Sequence, residues 1–146
     1  MKADFLIKFG AFVEWPAGAF ATPDTPLEVC VVGHDPFGAA LDRLAQGRSA
    51  GARAMVVRRM PAIAPGTGCR IAWLGGSPEQ SVADAASQLA KAPVLTVTDG
   101  PSPASGVIHM VTQADRVRFE VDLAAAARAG LTISSKLLNL AVAVRR

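Results

Sequence analysis

The sequence contains no tyrosine, and aromatic residues make up only 5% of it. Cysteine is scarce, with two in the chain. No apolar run approaches the roughly 18 residues that a membrane-spanning helix needs. Basic residues form no stripe: the net charge is +3, and the densest pairs are Arg58-Arg59 and Arg145-Arg146. Without a basic stripe and aromatics to stack bases, the footprint of a nucleic-acid-binding protein is missing. The cysteines lie too far apart for C-x-x-C redox chemistry. G-x-G-x-x-G and G-x-S-x-G are absent, and Gly66-Thr67-Gly68 lacks the Lys-Ser/Thr that completes a phosphate-binding loop. Met1-Lys2 opens directly on a helical pattern, without the charged, apolar and small-residue order of a secretory leader. Two readings stay open on that ground: a cytosolic protein, or a mature chain with its leader removed.

What is present is enough for one folded domain over residues 1–146. Hydrophobic residues make up 51% of the chain and charged residues 18%, a composition that excludes disorder. Phe5, Phe9, Phe12 and Val13 recur at helical spacing and predict a helix over residues 2–13, ended by Trp15-Pro16. Leu27 to Val32 reads as a buried strand. Asp35 and Pro36 suit the cap and first position of a second helix, which buries Phe37, Leu41 and Leu44 and stops near Gly47. Arg53 to Met60, Cys69 to Leu74 and Val94 to Val97 are further strands. Ser77, Pro78 and Gln80 read as a capping box that opens the helix between the last two. Val107 to Thr112 and Arg116 to Val121 predict two strands joined by a tight polar turn. Val117, Phe119 and Val121 alternate with Arg118, Glu120 and Asp122, so one sheet face is wetter. Leu123 to Ala129 and a segment capped by Ser134, with Leu137, Leu138, Ala141 and Val142, are the last helices. The alternation implies an α/β fold: a single three-layer domain, with a mostly parallel sheet, an antiparallel C-terminal hairpin and helices on both faces.

Few residues suggest chemistry. Gly33 and Gly38 flank a strand-turn-helix that resembles a nucleotide-binding turn, but Asp35 would repel a phosphate there, and a capping role is preferred. His34, Asp35 and His109 are the one combination with metal-ligand chemistry; surface or structural roles are preferred, and no metal or other cofactor is expected. Ser134-Ser135-Lys136 falls where a helix cap belongs and is not S-x-x-K. No catalytic residue is assigned. Cys30 and Cys69 are two buried thiols or a disulfide between neighbouring strands, which would close a loop of about forty residues and contribute roughly 4 kcal/mol. Spacing leaves both open.

Several segments, in order, resemble one family. Lys2-Ala3-Asp4-Phe5-Leu6-Ile7-Lys8-Phe9-Gly10-Ala11-Phe12-Val13-Glu14-Trp15-Pro16 is similar to its KAxYLxxFxxFVEWP opening. Cys30-Val31-Val32-Gly33-His34-Asp35-Pro36-Phe37-Gly38 resembles CVxGxDPFG. Cys69 to Leu74, Val94 to Asp99, Arg116 to Asp122 and Ile133 to Leu138 match its later strands and its ISSKLL segment. The family is the YfiR-like family, and the resemblance runs from Lys2 to about Leu140. It implies a periplasmic, non-enzymatic protein, made with a cleaved leader, that represses an inner-membrane diguanylate cyclase by binding its periplasmic sensor domain. Release under envelope or redox stress would raise cyclic-di-GMP and favour biofilm. A homodimer and a Cys30–Cys69 disulfide are implied as well; nucleic-acid binding and membrane insertion are not. The chain departs from the pattern in having His109 and Asp122 where the family often has Asn, in a proline-rich loop from Gly100 to Gly106, and in lacking a second cysteine pair. The candidate partner contacts are Glu14 and Trp15, just past the first helix, and Arg118, Glu120 and Asp122 on the wetter strand face. A second reading is a small-ligand sensor. Its pocket lies at the C-terminal strand ends around Gly33-His34 and Gly75-Gly76-Ser77, with His34, Asp35, Ser77 and His109 as candidate ligand contacts.

Overall fold

Long apolar strands set the architecture of the computed structural model, which describes residues 2–46, 49–50, 53–100 and 106–145. The elements run α1 (Lys2–Phe9), β1 (Val13–Glu14), a 3-10 turn (Ala17–Ala19), β2 (Leu27–Gly33), α2 (Ala39–Gln46), β3 (Ser49–Ala50) and β4 (Arg53–Met60). They continue with β5 (Ile71–Gly76), α3 (Val82–Gln88), β6 (Leu95–Asp99), β7 (Ile108–Gln113), β8 (Arg116–Asp122), α4 (Leu123–Arg128), β9 (Thr132–Ile133), α5 (Ser135–Leu140) and β10 (Ala143–Arg145). The main sheet has the order β10-β8-β7-β6-β5-β2-β4-β3. Neighbours from β4 through β7 are parallel, β8 returns antiparallel to β7, and β10 lies parallel to β8. A separate two-stranded ribbon joins β1 to β9. The α/β fold with a mostly parallel sheet and an antiparallel C-terminal hairpin is therefore the one expected.

Both faces of the central strands are covered. Val29, Val31, Ile71, Trp73, Leu95 and Val97 belong to one core, shared with Leu6 and Phe9 of α1 and Leu41 of α2. Cys30, Val32, Ala72 and Leu74 belong to a second core, shared with Ala85, Ala86 and Leu89. Continuous apolar runs are what a parallel strand buried on both faces requires. From β2 the chain crosses to β4 on one side, then returns past β2 to β5 on the other. That reversal makes the carboxyl ends of β2 and β5 a topological switch point.

Four helix starts or stops differ from expectation. The first helix ends at Phe9, and successive i to i−3 turns carry the chain through Phe12. Val13 then pairs with Ile133 across the ribbon, so tertiary pairing claims residues whose spacing also suited a helix. The second helix starts at Ala39, because Gly38 sits at φ +57°, outside the helical region. Asp35 therefore caps a turn, accepting from the N–H groups of Phe37 at 2.8 Å and Gly38 at 3.2 Å. The expected stop at Gly47 lies outside the described residues. The third helix starts at Val82 with Ser81 as its cap, and Ser77 to Gln80 form a turn before it. The final helix is capped by Ser134 as expected but ends at Leu140, and the edge strand β10 follows. Of the proline-rich loop, residues 101–105 lie outside the described residues.

Candidate functional site

The carboxyl ends of β2, β4 and β5 enclose an open cleft of about 610 Å³ that brings together His34, Asp35 and Ser77. The crevice between β2 and β5 is itself sealed by backbone. The His34 N–H donates to the Gly76 carbonyl at 2.9 Å, and a Cβ on Gly33 or Gly75 would overlap the backbone of Gly76 or His34. Only glycine permits that approach, and Gly33 also has φ +82°. The cleft is therefore displaced toward β4, with Met60, Pro61 and Pro78 as apolar walls.

Most polar groups of the cleft are already committed. Arg59 donates from Nε to Asp35 at 2.7 Å and from its terminal nitrogens to Asp42 at 2.8 and 3.1 Å and to the Gly38 carbonyl at 2.8 Å. Burial pushes the Asp35 carboxyl up, but the hydrogen bonds from Arg59, Phe37 and Gly38 outweigh it and hold the group below the ordinary carboxylate range. The hydrogen bond from Arg59 likewise lowers Asp42 against a smaller opposing effect of burial, and the two carboxylates raise Arg59. The Ser77 hydroxyl donates to the Pro61 carbonyl at 2.7 Å and accepts from the N–H groups of Glu79 and Gln80 at 3.2 Å each. The Gln80 amide clamps both backbone groups of Ile63 at 2.8 Å. The side chains of His34 and Glu79 remain for an incoming molecule. The sequence offers no sign of the role of Arg59 and reads Gln80 only as part of a capping box, since each acts on residues 17 or more positions away.

His109 is not part of this cleft. It lies in β7, with β5 and β6 between it and β2, so the structure does not join it to His34 and Asp35. It is buried, with Nδ1 2.7 Å from the Thr98 hydroxyl. Burial lowers its pKa, against the upward pull of Glu120 and Asp99. Among the described residues no three His, Cys, Asp or Glu side chains cluster as metal ligands would.

The remaining expected contacts fall in two places. Glu14 is exposed on β1. Trp15 is half-buried: its indole N–H donates to the Arg70 carbonyl at 3.1 Å and its ring meets Phe20 edge-on at 6.1 Å. Arg70 in turn donates to the Ala19 carbonyl at 2.8 Å, so the Phe-Val-Glu-Trp-Pro segment is tied to the start of β5. On β8, Arg118 is exposed, Glu120 faces Arg145 at 3.5 Å, and Asp122 caps α4 by accepting from the Ala125 N–H at 3.0 Å. Cys30 and Cys69 form a disulfide, fully buried in the second core, with Cα atoms 5.9 Å apart.

The layered sheet and the buried bridge that joins β2 to the segment just ahead of β5 define a domain of α/β type. Residues 1–142 match the YfiR/HmsC-like family, and the chain belongs to it. At family level its role is regulatory, in cyclic-di-GMP signalling. No curated protein matches the sequence. Among the described residues no helix is long and apolar enough to cross a membrane.

Proposed function

We propose that the chain is a periplasmic repressor that binds the sensor domain of an inner-membrane diguanylate cyclase and holds it inactive. The observation that carries this reading is the family match over residues 1–142. The buried Cys30–Cys69 bond supports an oxidising compartment, since such bridges rarely persist in a reducing cytosol. No covalent step is required. The chain binds one conformation of the cyclase more tightly than the other and shifts the population toward the inactive state. Glu14 and Arg118, both exposed, are the expected contacts least committed to the fold. Trp15 and Asp122 hold local structure, so their part in docking is indirect. The chain acts as a homodimer, which light scattering of the purified protein tests.

Calorimetric titration against the purified periplasmic domains of the membrane cyclases from the same cell tests the reading. A stoichiometric complex with one of them is expected, and no binding to any would overturn it. A second reading, a small-ligand sensor, is favoured by the cleft at His34 and Ser77, whose size suits a small molecule. Such a ligand would be largely apolar, held by His34 and Glu79 at its polar end.

A further inference from the structure

Among the described residues two strands have edges left open over part of their length, β4 beyond its short pairing with β3 and β8 ahead of its pairing with β10, and only at β8 are the arginines uncommitted. β10 pairs with β8 only from Glu120 to Asp122, so Arg116 to Arg118 have their ladder partners on the β7 side alone. Beside this open stretch lies a groove of about 250 Å³ lined by Phe5, Val117, Phe119 and Leu140, with Arg116 and Arg118. Leu140 is 63% exposed and Val142 41%, the two most exposed large aliphatic side chains among the described residues. Arg116 and Arg118 are exposed, and among the described residues neither guanidinium has an ion-pair or hydrogen-bond partner. Every other Arg on the sheet strands is engaged: Arg53 with Thr22 and Thr25, Arg58 with Glu28, Arg59 with Asp35 and Asp42, Arg145 with Glu120.

We infer that the open edge of β8 accepts an extended acidic segment of the partner protein as an added strand. The inference rests on the docking function proposed above and names its surface and the partner's chemistry. A strand exposes alternate side chains on opposite faces. An added strand would therefore place one set over Phe5, Val117 and Leu140 and the other beside Arg116 and Arg118. The fitting sequence alternates apolar with acidic residues. Backbone pairing supplies affinity, and the two side-chain rows supply selection. A second copy of this chain does not fit, because antiparallel pairing of two such edges sets Arg against Arg.

The test uses two labelled peptides of equal length, one alternating Leu with Glu and the other Leu with Lys, followed by fluorescence anisotropy. The Glu peptide should bind, and more weakly at high salt; the Lys peptide should not. The double variant Arg116→Glu/Arg118→Glu should weaken Glu-peptide binding about tenfold or more. The control Arg43→Glu/Lys91→Glu makes the same charge change on exposed residues elsewhere and should leave it unchanged. Circular dichroism on each variant separates lost binding from lost folding, and Arg116→Ser/Arg118→Ser provides a milder change at the same edge. Absence of Glu-peptide binding, equal binding of both peptides, or indifference to the β8 changes would each overturn the inference, leaving the arginines as guards against edge-to-edge association. If a cyclase domain binds the wild type and the β8 variant alike, docking stands and this surface is wrong. If no cyclase domain binds the wild type, the docking function itself fails.

Discussion

The two ends of the main sheet treat their polar groups in opposite ways. At the carboxyl ends of β2, β4 and β5, Arg59, Asp35, Ser77 and Gln80 tie one loop to the next through bonds of 2.7 to 3.2 Å. At the β8 edge, two arginines and an exposed leucine meet solvent without partners. The first region holds the domain's shape. The second has unmade interactions left over for another molecule. A cleft is therefore not the better functional candidate merely for being larger.

Breaking the ties that hold the shape of the domain should cost the most stability. Replacing both cysteines, Cys30→Ala/Cys69→Ala, removes the bridge between β2 and the start of β5 and should cost about 4 kcal/mol, read from chemical denaturation of the oxidised protein and the variant. Gly33→Ala forces a Cβ against Gly76 at a left-handed backbone position and should cost about 2 kcal/mol or more, with a matching fall in Tm. His109 gives a smaller, pH-dependent effect. Its folded pKa lies below the ordinary 6.5, so the unfolded chain takes up the proton first. The stability it contributes is present above about pH 6.5 and is lost as pH falls toward its lowered folded value. Thermal melts of wild type and His109→Gln between pH 7.5 and about 5 should therefore converge on the acid side. The smallest effect belongs to the second region: Arg116→Ser/Arg118→Ser should change stability by no more than about 0.5 kcal/mol, since both groups are exposed and unpartnered. A large loss there would erase the contrast between the two regions.

The sequence made the strands legible and the junctions less so. Leu27 to Val32 is apolar throughout because β2 is buried on both faces, and Arg53 to Met60 appears with the expected limits. The alternation in β8 was visible for the same reason, from one wetter face. Helix starts were harder. Asp35-Pro36 and Ser77-Pro78 carry cap-like residues, yet each forms a turn ahead of the helix, the first because Gly38 takes a positive φ. The short strands β1, β9 and β10 depend on partners distant in sequence, as with Val13 and Ile133, and local pattern does not encode such pairings. The candidate site was legible by residue type and not by commitment. His34, Asp35 and Ser77 do converge, but Arg59, 24 positions from Asp35, already occupies the carboxylate. The strand alternation puts Asp122 among the candidate partner contacts on the wetter face, whereas its place at the end of β8 makes it a helix cap. The Cys30–Cys69 pairing was open on spacing alone and was implied only by the family resemblance.

The central claim is that this domain restrains cyclic-di-GMP synthesis by binding alone. Cellular cyclic-di-GMP, measured by mass spectrometry in a strain deleted for the protein, tests it most directly. The level should rise on deletion and return to that of the parent when the wild-type chain is restored to the periplasm. An unchanged level on deletion would contradict the account.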